Sequence, residues 1–268
     1  MKGFEIAEAK AGGWAGRVRF FAVLSLQDMR QRFAGSRLGL LWLILQPLFY
    51  LALMTVVFYG VLQVRFGGQG LEAYALALLT GLAAWLGCNE GLSRAAGSLV
   101  ERTHLIRNFP LPRILIPLVP LVGALIYQVA FLAVLLAAAS WRGGLSMEAP
   151  LLLAALALEA LLLAGLAWLA AAVTVLYRDV HYLLTFVLMA WLYVTPIFYP
   201  ADVVPERLAP FLVYMNPLTL LVVLFRSAVL GAPVEAGVWI VLAAESAACA
   251  AVGYFFFRRI ESALTDLL

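Results

Sequence analysis

Charged side chains are scarce in this chain of 268 residues: they make up 12% of it, whereas apolar residues make up 65%. Soluble domains contain roughly 25% charged residues. A soluble protein of this length could not bury so much apolar surface, so the surrounding solvent must be lipid. The composition excludes an ordinary soluble domain and predicts an all-α integral membrane protein.

Cysteine and lysine are also rare. Cys88 and Cys249 both lie in apolar runs and offer no framework of disulfide bridges. Lys2 and Lys10 are the only lysines, and neither belongs to a GxxxxGK[ST] phosphate-binding loop. The chain therefore carries no recognisable nucleotide-binding domain of its own. We expect it to bind no cofactor and no metal, and to have no catalytic residue.

Long apolar runs are abundant. A helix needs roughly 20 apolar residues to cross about 30 Å of hydrocarbon. The runs that meet this length are 38–62, 73–96, 114–139, 150–176 and 236–257, with a sixth from about 182 to 199. The sequence thus predicts a six-span domain over 38–257, and an even number of crossings puts both termini on one side.

The segment 200–231 has a different character, because it is apolar but interrupted by four prolines. Asn216 followed by Pro217 is a good helix start, since the Asn side chain can cap free amides and proline fits the first helical position. The apolar piece after Pro217 is too short to span. We therefore predict a pair of short re-entrant helices on the periplasmic side rather than a seventh span.

Basic residues are distributed unequally between the two sides. Fourteen lie on the side of the termini and four on the other. The positive-inside rule then predicts that both termini are cytoplasmic. Residues 1–16 are expected to be a flexible cytoplasmic start and 258–268 a cytoplasmic tail. The N-terminus shows no short apolar region with a cleavage site, so we expect no cleaved signal peptide.

The residues before the first span, 17–37, form an amphipathic pattern, in which apolar side chains recur at three- and four-residue spacing. The pattern predicts an interfacial helix whose polar residues, among them its arginines and Asp28, lie off the apolar face, with the arginines toward lipid phosphate. Gly35 and Gly39 flank Ser36 and allow the chain to turn into the first span. The alternative is a basic anchor that only sets topology.

Several motifs carry a resemblance to a known family. Residues 30–42 read RQRFAGSRLGLLW and precede Gln46 and Pro47. This resembles the pattern RYrxSxLGxxW…P of the ABC-transporter permeases that export capsule, O-antigen and teichoic-acid polysaccharides. Phe33 and Ala34 depart mildly from it, where the family has a tyrosine and a basic residue. Further similar motifs follow in the same order: NFPLPR at 108–113, YRDV at 177–180, and TPIFY at 195–199 with NPL at 216–218.

The resemblance implies half of a transporter in the bacterial inner membrane. Two copies of the permease would form the pathway, and two copies of a separate ATPase would bind below them and hold ATP and Mg²⁺. The cargo would be a lipid-linked polysaccharide, and periplasmic and outer-membrane export components could join the assembly. No nucleic acid is expected as a partner.

The resemblance also makes the cytoplasmic loop 97–113 the connection to the ATPase. Its first part, 97–109, would be a coupling helix capped by Ser98. The expected coupling residues are Ser98, Glu101, Arg102, His104, Leu105, Ile106 and Arg107. The alternative is an ordinary basic loop that obeys the charge rule.

Two further groups of residues are candidates for function. The first is the interfacial elbow, which joins the interfacial helix to the first span and contains Arg30, Arg32, Ser36, Arg37, Gly39 and Trp42. Aromatic planes pack against the apolar C–H faces of sugar rings, and such contacts slide. The second group is therefore a proposed substrate pathway of Phe49, Tyr50, Phe58, Tyr59, Trp191, Tyr193, Phe198 and Tyr199. The alternative for these aromatics is an interfacial belt.

Charges inside the predicted spans leave other functions open. Glu159 and Glu245 lie in the fourth and sixth spans, where they could serve a proton-coupled carrier, be protonated, or bond to neighbouring helices. Glu90 and Arg94 are one helical turn apart and can neutralise each other. A drug or lipid exporter of the same architecture is the nearest alternative. A membrane enzyme is disfavoured because the sequence shows no cluster of histidine and carboxylate.

Overall fold

The computed structural model describes residues 14–32, 35–63, 70–104, 112–143, 147–232 and 234–267. These ranges contain α-helices joined by short 3₁₀ and π segments, and no strand. The α-helices are α1 (Trp14–Arg32), α2 (Trp42–Met54), α3 (Leu71–Glu101), α4 (Leu118–Gly143), α5 (Leu152–Leu176), α6 (Val180–Val194), α7 (Pro217–Leu230) and α8 (Ala236–Leu267). The all-helical prediction is confirmed for the described residues.

Five helical stretches are long and apolar enough to cross a membrane. They are Ile44–Val61, Leu71–Glu101, Arg113–Trp141, Ala149–Leu176 and Ala236–Glu261. Each coincides with a predicted span. Within such helices the backbone polar groups bond to one another, as a hydrocarbon environment requires, except that Pro47 of the first span has no amide to donate.

The fifth predicted span corresponds to α6, which has 15 residues and is shorter than the other spans. It ends at Val194 because Pro196 follows Thr195, and a residue before proline is disfavoured in helical conformation. Thr195 is accordingly extended, with ψ of 134°. The predicted end at residue 199 is therefore wrong, and the sixth crossing stays a prediction.

Helix α3 forms the centre of the packing, whereas the first span lies at the edge. In α3, 61% of the most apolar stretch is buried, against 11% in Ile44–Val61. Leu78, Leu82 and Tyr74 of α3 are fully buried against the neighbouring helices. The first span is also irregular: it contains Pro47 inside α2, and it changes from α to π geometry over Thr55–Val61.

Helices α5 and α8 cross at two glycines. A Cβ atom on Gly165 would lie 2.6 Å from the backbone nitrogen of Ala250. A Cβ atom on Gly253 would lie 2.8 Å from Cα of Gly165. Small residues at such a crossing let two backbones approach, which is the usual way for helices to gain packing contacts in lipid.

The segment between α6 and α8 contains a 3₁₀ turn at Ala201–Val203, a π turn at Pro210–Tyr214 and then α7. The predicted helix start is confirmed, because the amide of Leu218 donates to Oδ1 of Asn216 at 3.1 Å. Gly231, at φ of 80°, ends the helix. Only α7 is a regular α-helix, and the position of this segment in a membrane stays a prediction.

Two helices continue past the predicted spans on the side of the termini, and the membrane boundaries there stay predictions. Helix α3 continues through Glu101 instead of ending near residue 96, because no helix-breaking proline or extended residue interrupts it there. Helix α8 continues through Leu267, so the predicted tail 258–268 is largely an extension of the last helix.

Candidate functional site

Helix α1 is held against the end of α3 by a buried carboxylate and against α4 by a tyrosine hydroxyl. Asp28 is only 2% exposed. Nη2 of Arg94 lies 2.8 Å from Oδ1 of Asp28, and Nη2 of Arg102 donates to the same oxygen. The hydroxyl of Tyr127 in α4 donates to the carbonyl of Met29 at 3.1 Å. One acidic side chain thus joins α1 to the end of α3 that carries the predicted coupling residues.

The sequence predicted only that Asp28 lies off the apolar face of an interfacial helix, and it did not predict that this residue is buried against α3. Asp28 and Ser25 are the buried polar residues of α1, whereas Val18 and Leu26 are about half exposed. The physical reason is that two guanidinium groups compensate the carboxylate for its lost hydration. A signal existed: Asp28 is the only acidic residue in 17–37.

The interfacial elbow contains the turn that was expected. Gly35 and Gly39 have φ of 85° and 48°. The amide of Gly39 donates to Oγ of Ser36 at 3.3 Å. The elbow side chains of Arg30, Arg37 and Trp42 are exposed, and the side chain of Arg32 lies outside the described residues.

The four predicted coupling residues that the structure describes differ in their surroundings. Glu101 and His104 are exposed, while Arg102 is engaged with Asp28. The expected capping role of Ser98 is wrong: the residue is buried inside α3, and its hydroxyl donates to the carbonyl of Ala95 at 2.7 Å. Its hydroxyl has no free amide to cap because the helix continues past it. Leu105, Ile106 and Arg107 lie outside the described residues.

Three of the predicted pathway aromatics pack together. The rings of Phe58 and Phe198 stack with centroids 5.3 Å apart, and Tyr193 lies 5.8 Å from Phe198. Phe198 is fully buried, and it lies after the end of α6 instead of on it. Within the chain it therefore joins the first span to the loop after α6, while Tyr193 keeps 48% of its surface exposed.

The other aromatics of the first span point in different directions. Tyr50 meets the edge of Trp85 with centroids 6.0 Å apart, and Tyr59 lies 5.3 Å from Tyr74. Both contacts fasten the first span to α3. Phe49 is 71% exposed, so its ring is available to lipid, to another chain or to a ligand.

Trp191 and Tyr199 form hydrogen bonds between the end of α6 and the segment that follows it. Nε1 of Trp191 donates to Oδ1 of Asn216 at 2.8 Å, and Nδ2 of Asn216 donates to Oγ1 of Thr195 at 3.1 Å. The hydroxyl of Tyr199 donates to the carbonyl of Tyr193 at 3.1 Å. The TPIFY and NPL motifs, distant in sequence, therefore form one hydrogen-bonded unit.

Arg226 completes this unit, although the sequence suggested only a charge on the far side of the membrane. Its guanidinium donates to the carbonyls of Ala77 at 3.1 Å, Pro196 at 3.0 Å and Ile197 at 2.7 Å. Five donors in a planar fork suit such a cluster of carbonyls. Arg226 therefore ties α7 to α3 and to the loop after α6.

The carboxylate of Glu159 lies at the centre of the helices and is fully buried. Nε2 of Gln128 donates to its two oxygens at 2.9 and 2.8 Å. This confirms the bond to a neighbouring helix that was one alternative for Glu159.

The pairing of Glu90 with Arg94 is also present, at 3.7 Å. Oε2 of Glu245 is buried without a hydrogen-bond partner in the part of the chain that the structure describes.

Comparison with known proteins gives a consistent result. A family model described as "ABC-2 type transporter" matches residues 19–230. An O-antigen export system permease protein RfbA of Klebsiella pneumoniae is 22% identical over 259 residues, which is 92% of this chain and 93% of the relative. A second RfbA permease of that species is 24% identical over 213 residues, 76% of this chain and 77% of the relative. The RfbA permease of Myxococcus xanthus is 24% identical over 203 residues, 75% and 76% of the two chains.

Proposed function

The chain belongs to the ABC-2 type transporter family, and we propose that it is the permease subunit of an ATP-driven exporter of lipid-linked polysaccharide. The observation that carries the proposal is its similarity, over 92% of its length, to a permease named for O-antigen export. The resemblance read from the motifs is thereby confirmed. The chain is a transport subunit and a multi-pass protein of the inner membrane.

The proposed topology has six crossings with both termini in the cytoplasm. The surplus of basic residues on the side of the termini supports it. Five crossings have helices of sufficient length, and α6 supplies the remaining one in this proposal. The segment containing α7 would then lie on the periplasmic side as a re-entrant element, sealed to α3 by Arg226.

An ATPase subunit is implied by the family. We propose two copies of it beneath a homodimer of the permease, and ATP with its Mg²⁺ would be bound there rather than by this chain. The segment 97–113 would contact the ATPase. The bond between Arg102 and Asp28 supports a path from that segment to α1, and the elbow continues the path to the first span.

The proposed pathway for the polymer runs along the first span. With only 11% of its apolar stretch buried within the chain, this span leaves most of its surface for lipid, a second permease or the substrate. Phe49 and Tyr193 are exposed and suit sliding contacts with sugar rings. Phe198 is buried, which favours a role in supporting these aromatics rather than in touching the polymer.

Two experiments test this proposal together. Deletion of the gene should abolish surface polysaccharide and leave lipid-linked polymer inside the cell, and the wild-type chain should restore export. Affinity purification from native membranes in mild detergent should bring down an ATPase chain. Normal surface polysaccharide in the deletion strain would overturn the choice of cargo. Purification without an ATPase would instead favour a carrier driven by protons.

A further inference from the structure

We propose that a small cavity between α2, α3 and α4, lined in part by polar side chains, is a subsite for hydroxyl groups of the exported sugar chain, an inference that rests on the function proposed above. The cavity has a volume of about 50 Å³. Its polar lining comes from three helices and consists of Gln46, Asn89, Glu90, Tyr127 and Gln128. The apolar remainder includes the ring of Phe131 and the proline of the Gln46-Pro47 motif.

The chemistry of the lining favours a neutral polyhydroxyl ligand. The side-chain amides of Gln46 and Asn89 offer both donors and acceptors, and carboxylate and phenol oxygens add further acceptors, which together match sugar hydroxyls. None of the described residues that line the cavity is basic, and Glu90 is among them. An anionic group such as a lipid phosphate would therefore meet the Glu90 carboxylate, whose cationic partner Arg94 lies outside the lining and also binds Asp28.

Gln128 provides a second observation that points to a ligand. Its side chain is 4% exposed, and its Nε2 is committed to Glu159. Its Oε1 is buried and has no hydrogen-bond partner within the described ranges. A buried acceptor left unpaired costs about 1–3 kcal/mol. Gln128 lines the cavity, so a donor held there would recover part of that cost if the amide turned toward it. Sugar hydroxyls and water both have this capacity.

The size of the cavity limits what it can hold. A single water needs about 10–15 Å³ measured in this way, so 50 Å³ admits a few small polar groups. Pockets that enclose a drug-sized ligand measure about 300–1,000 Å³. The cavity would therefore accept a hydroxyl or hydroxymethyl group that projects from a polymer passing along α2. Gln46 lines the cavity and is exposed on α2, so it can meet such a group.

Photocrosslinking in intact cells tests the subsite directly. A benzoylphenylalanine introduced at Gln46 or Asn89 should capture the strain's own lipid-linked polysaccharide, labelled metabolically with ¹⁴C-glucose. The matched control is Val134, which lies on α4 with Gln128 but is 63% exposed and away from the cavity lining. Capture of phospholipid alone at Gln46 and Asn89, or equal capture of polysaccharide at Val134, would overturn the subsite.

Substitutions give an independent readout. Asn89→Leu should reduce the rate of export by about 2- to 10-fold, the value of one net hydrogen bond, whereas Asn89→Gln should retain most of it. Val134→Ala should export at the wild-type rate. If Asn89→Leu exports normally at equal expression, the subsite is wrong while the permease function stands. If the wild-type chain itself fails to restore export in the deletion strain, the proposed function fails first.

Discussion

At the scale of single residues, Asp28 determines how α1 sits on the rest of the chain. Two guanidinium groups, from residues separated from it by 66 and 74 positions, share one of its oxygens. Two cations that meet at one buried carboxylate depend on it, because removing the anion leaves Arg102 without this partner, leaves Arg94 with Glu90 alone, and leaves two like charges close together. This makes the carboxylate, rather than either arginine, the sensitive point of the cluster.

We expect Asp28→Ala to lower the free energy of unfolding by about 2 kcal/mol, less than for a fully buried pair, because the side chain of Arg94 is 30% exposed. Thermal unfolding of the purified permease in detergent measures this change. Gln27→Ala is the matched control, since Gln27 is the exposed neighbour on the same helix. A loss of stability equal to that of the control would mean that the ion pairs contribute nothing.

The proposed path from the ATPase to the first span predicts a further result for the ion pairs of Asp28. If Asp28 links the ATPase-facing end of α3 to the elbow, Arg102→Ala should reduce polymer export more than it reduces ATP hydrolysis by the purified complex. The double variant of Asp28→Ala and Arg102→Ala should then export about as well as the worse single variant, because both changes break one connection. Fully additive losses would contradict a shared connection.

A substitution of Glu159 distinguishes an ATP-driven exporter from a proton-coupled carrier. Glu159→Gln removes the ionisable group but keeps a side chain that can bond to Gln128. We expect export by this variant to be close to wild type, measured as surface polysaccharide per permease. Gln128→Leu leaves the carboxylate without its donor and should destabilise the chain by about 1–3 kcal/mol. Complete loss of export in Glu159→Gln at normal expression would instead indicate that a proton is carried there.

At the scale of elements, the spans could be predicted because lipid requires a certain length and an apolar composition, and both can be read directly from the sequence. The start of α7 was also readable, since Asn216 and Pro217 act through local chemistry. Contacts between helices could not be predicted in this way. Arg226 donates to the carbonyl of Ala77, 149 positions away. No pattern in the residues near either position predicts this contact. Asp28, Gln128 and Arg226 all belong to this class, which depends on helix packing rather than on periodicity.

The crossing of α5 and α8 gives a prediction at this scale. Gly253→Ala should lower the free energy of unfolding by about 1–3 kcal/mol, because the added methyl group overlaps the backbone of Gly165. Gly237→Ala lies on the same helix with nothing within 4 Å and should raise stability by up to about 1 kcal/mol through helix propensity. Unfolding curves of the two variants in one detergent should therefore shift in opposite directions. Shifts in the same direction would show that the crossing is loose.

At the scale of the whole molecule, α6 decides the topology. Its 15 residues rise about 22 Å, less than the roughly 30 Å of hydrocarbon, so a crossing there requires local thinning of the bilayer or help from the flanking turns. The loop after α6 is well suited to this, because Arg226 donates to the carbonyls of Pro196 and Ile197 and binds the loop to α3, while the Asn216 side chain bonds to Thr195 and ties the loop to α7. Irregular backbone at membrane depth is stable when protein surrounds it in this way.

Single cysteines on either side of α6 test that crossing. In a chain whose Cys88 and Cys249 are replaced by alanine, Asp202→Cys should react with a membrane-impermeant maleimide in intact cells, because residue 202 would face the periplasm. Arg178→Cys should react only after the cells are permeabilised. Asp202 and Arg178 are both exposed in the chain, so the protein itself would not shield either cysteine from the maleimide. Equal protection of the two cysteines in intact cells would put both ends of α6 on the cytoplasmic side, leave five crossings, and place the two termini on opposite sides of the membrane.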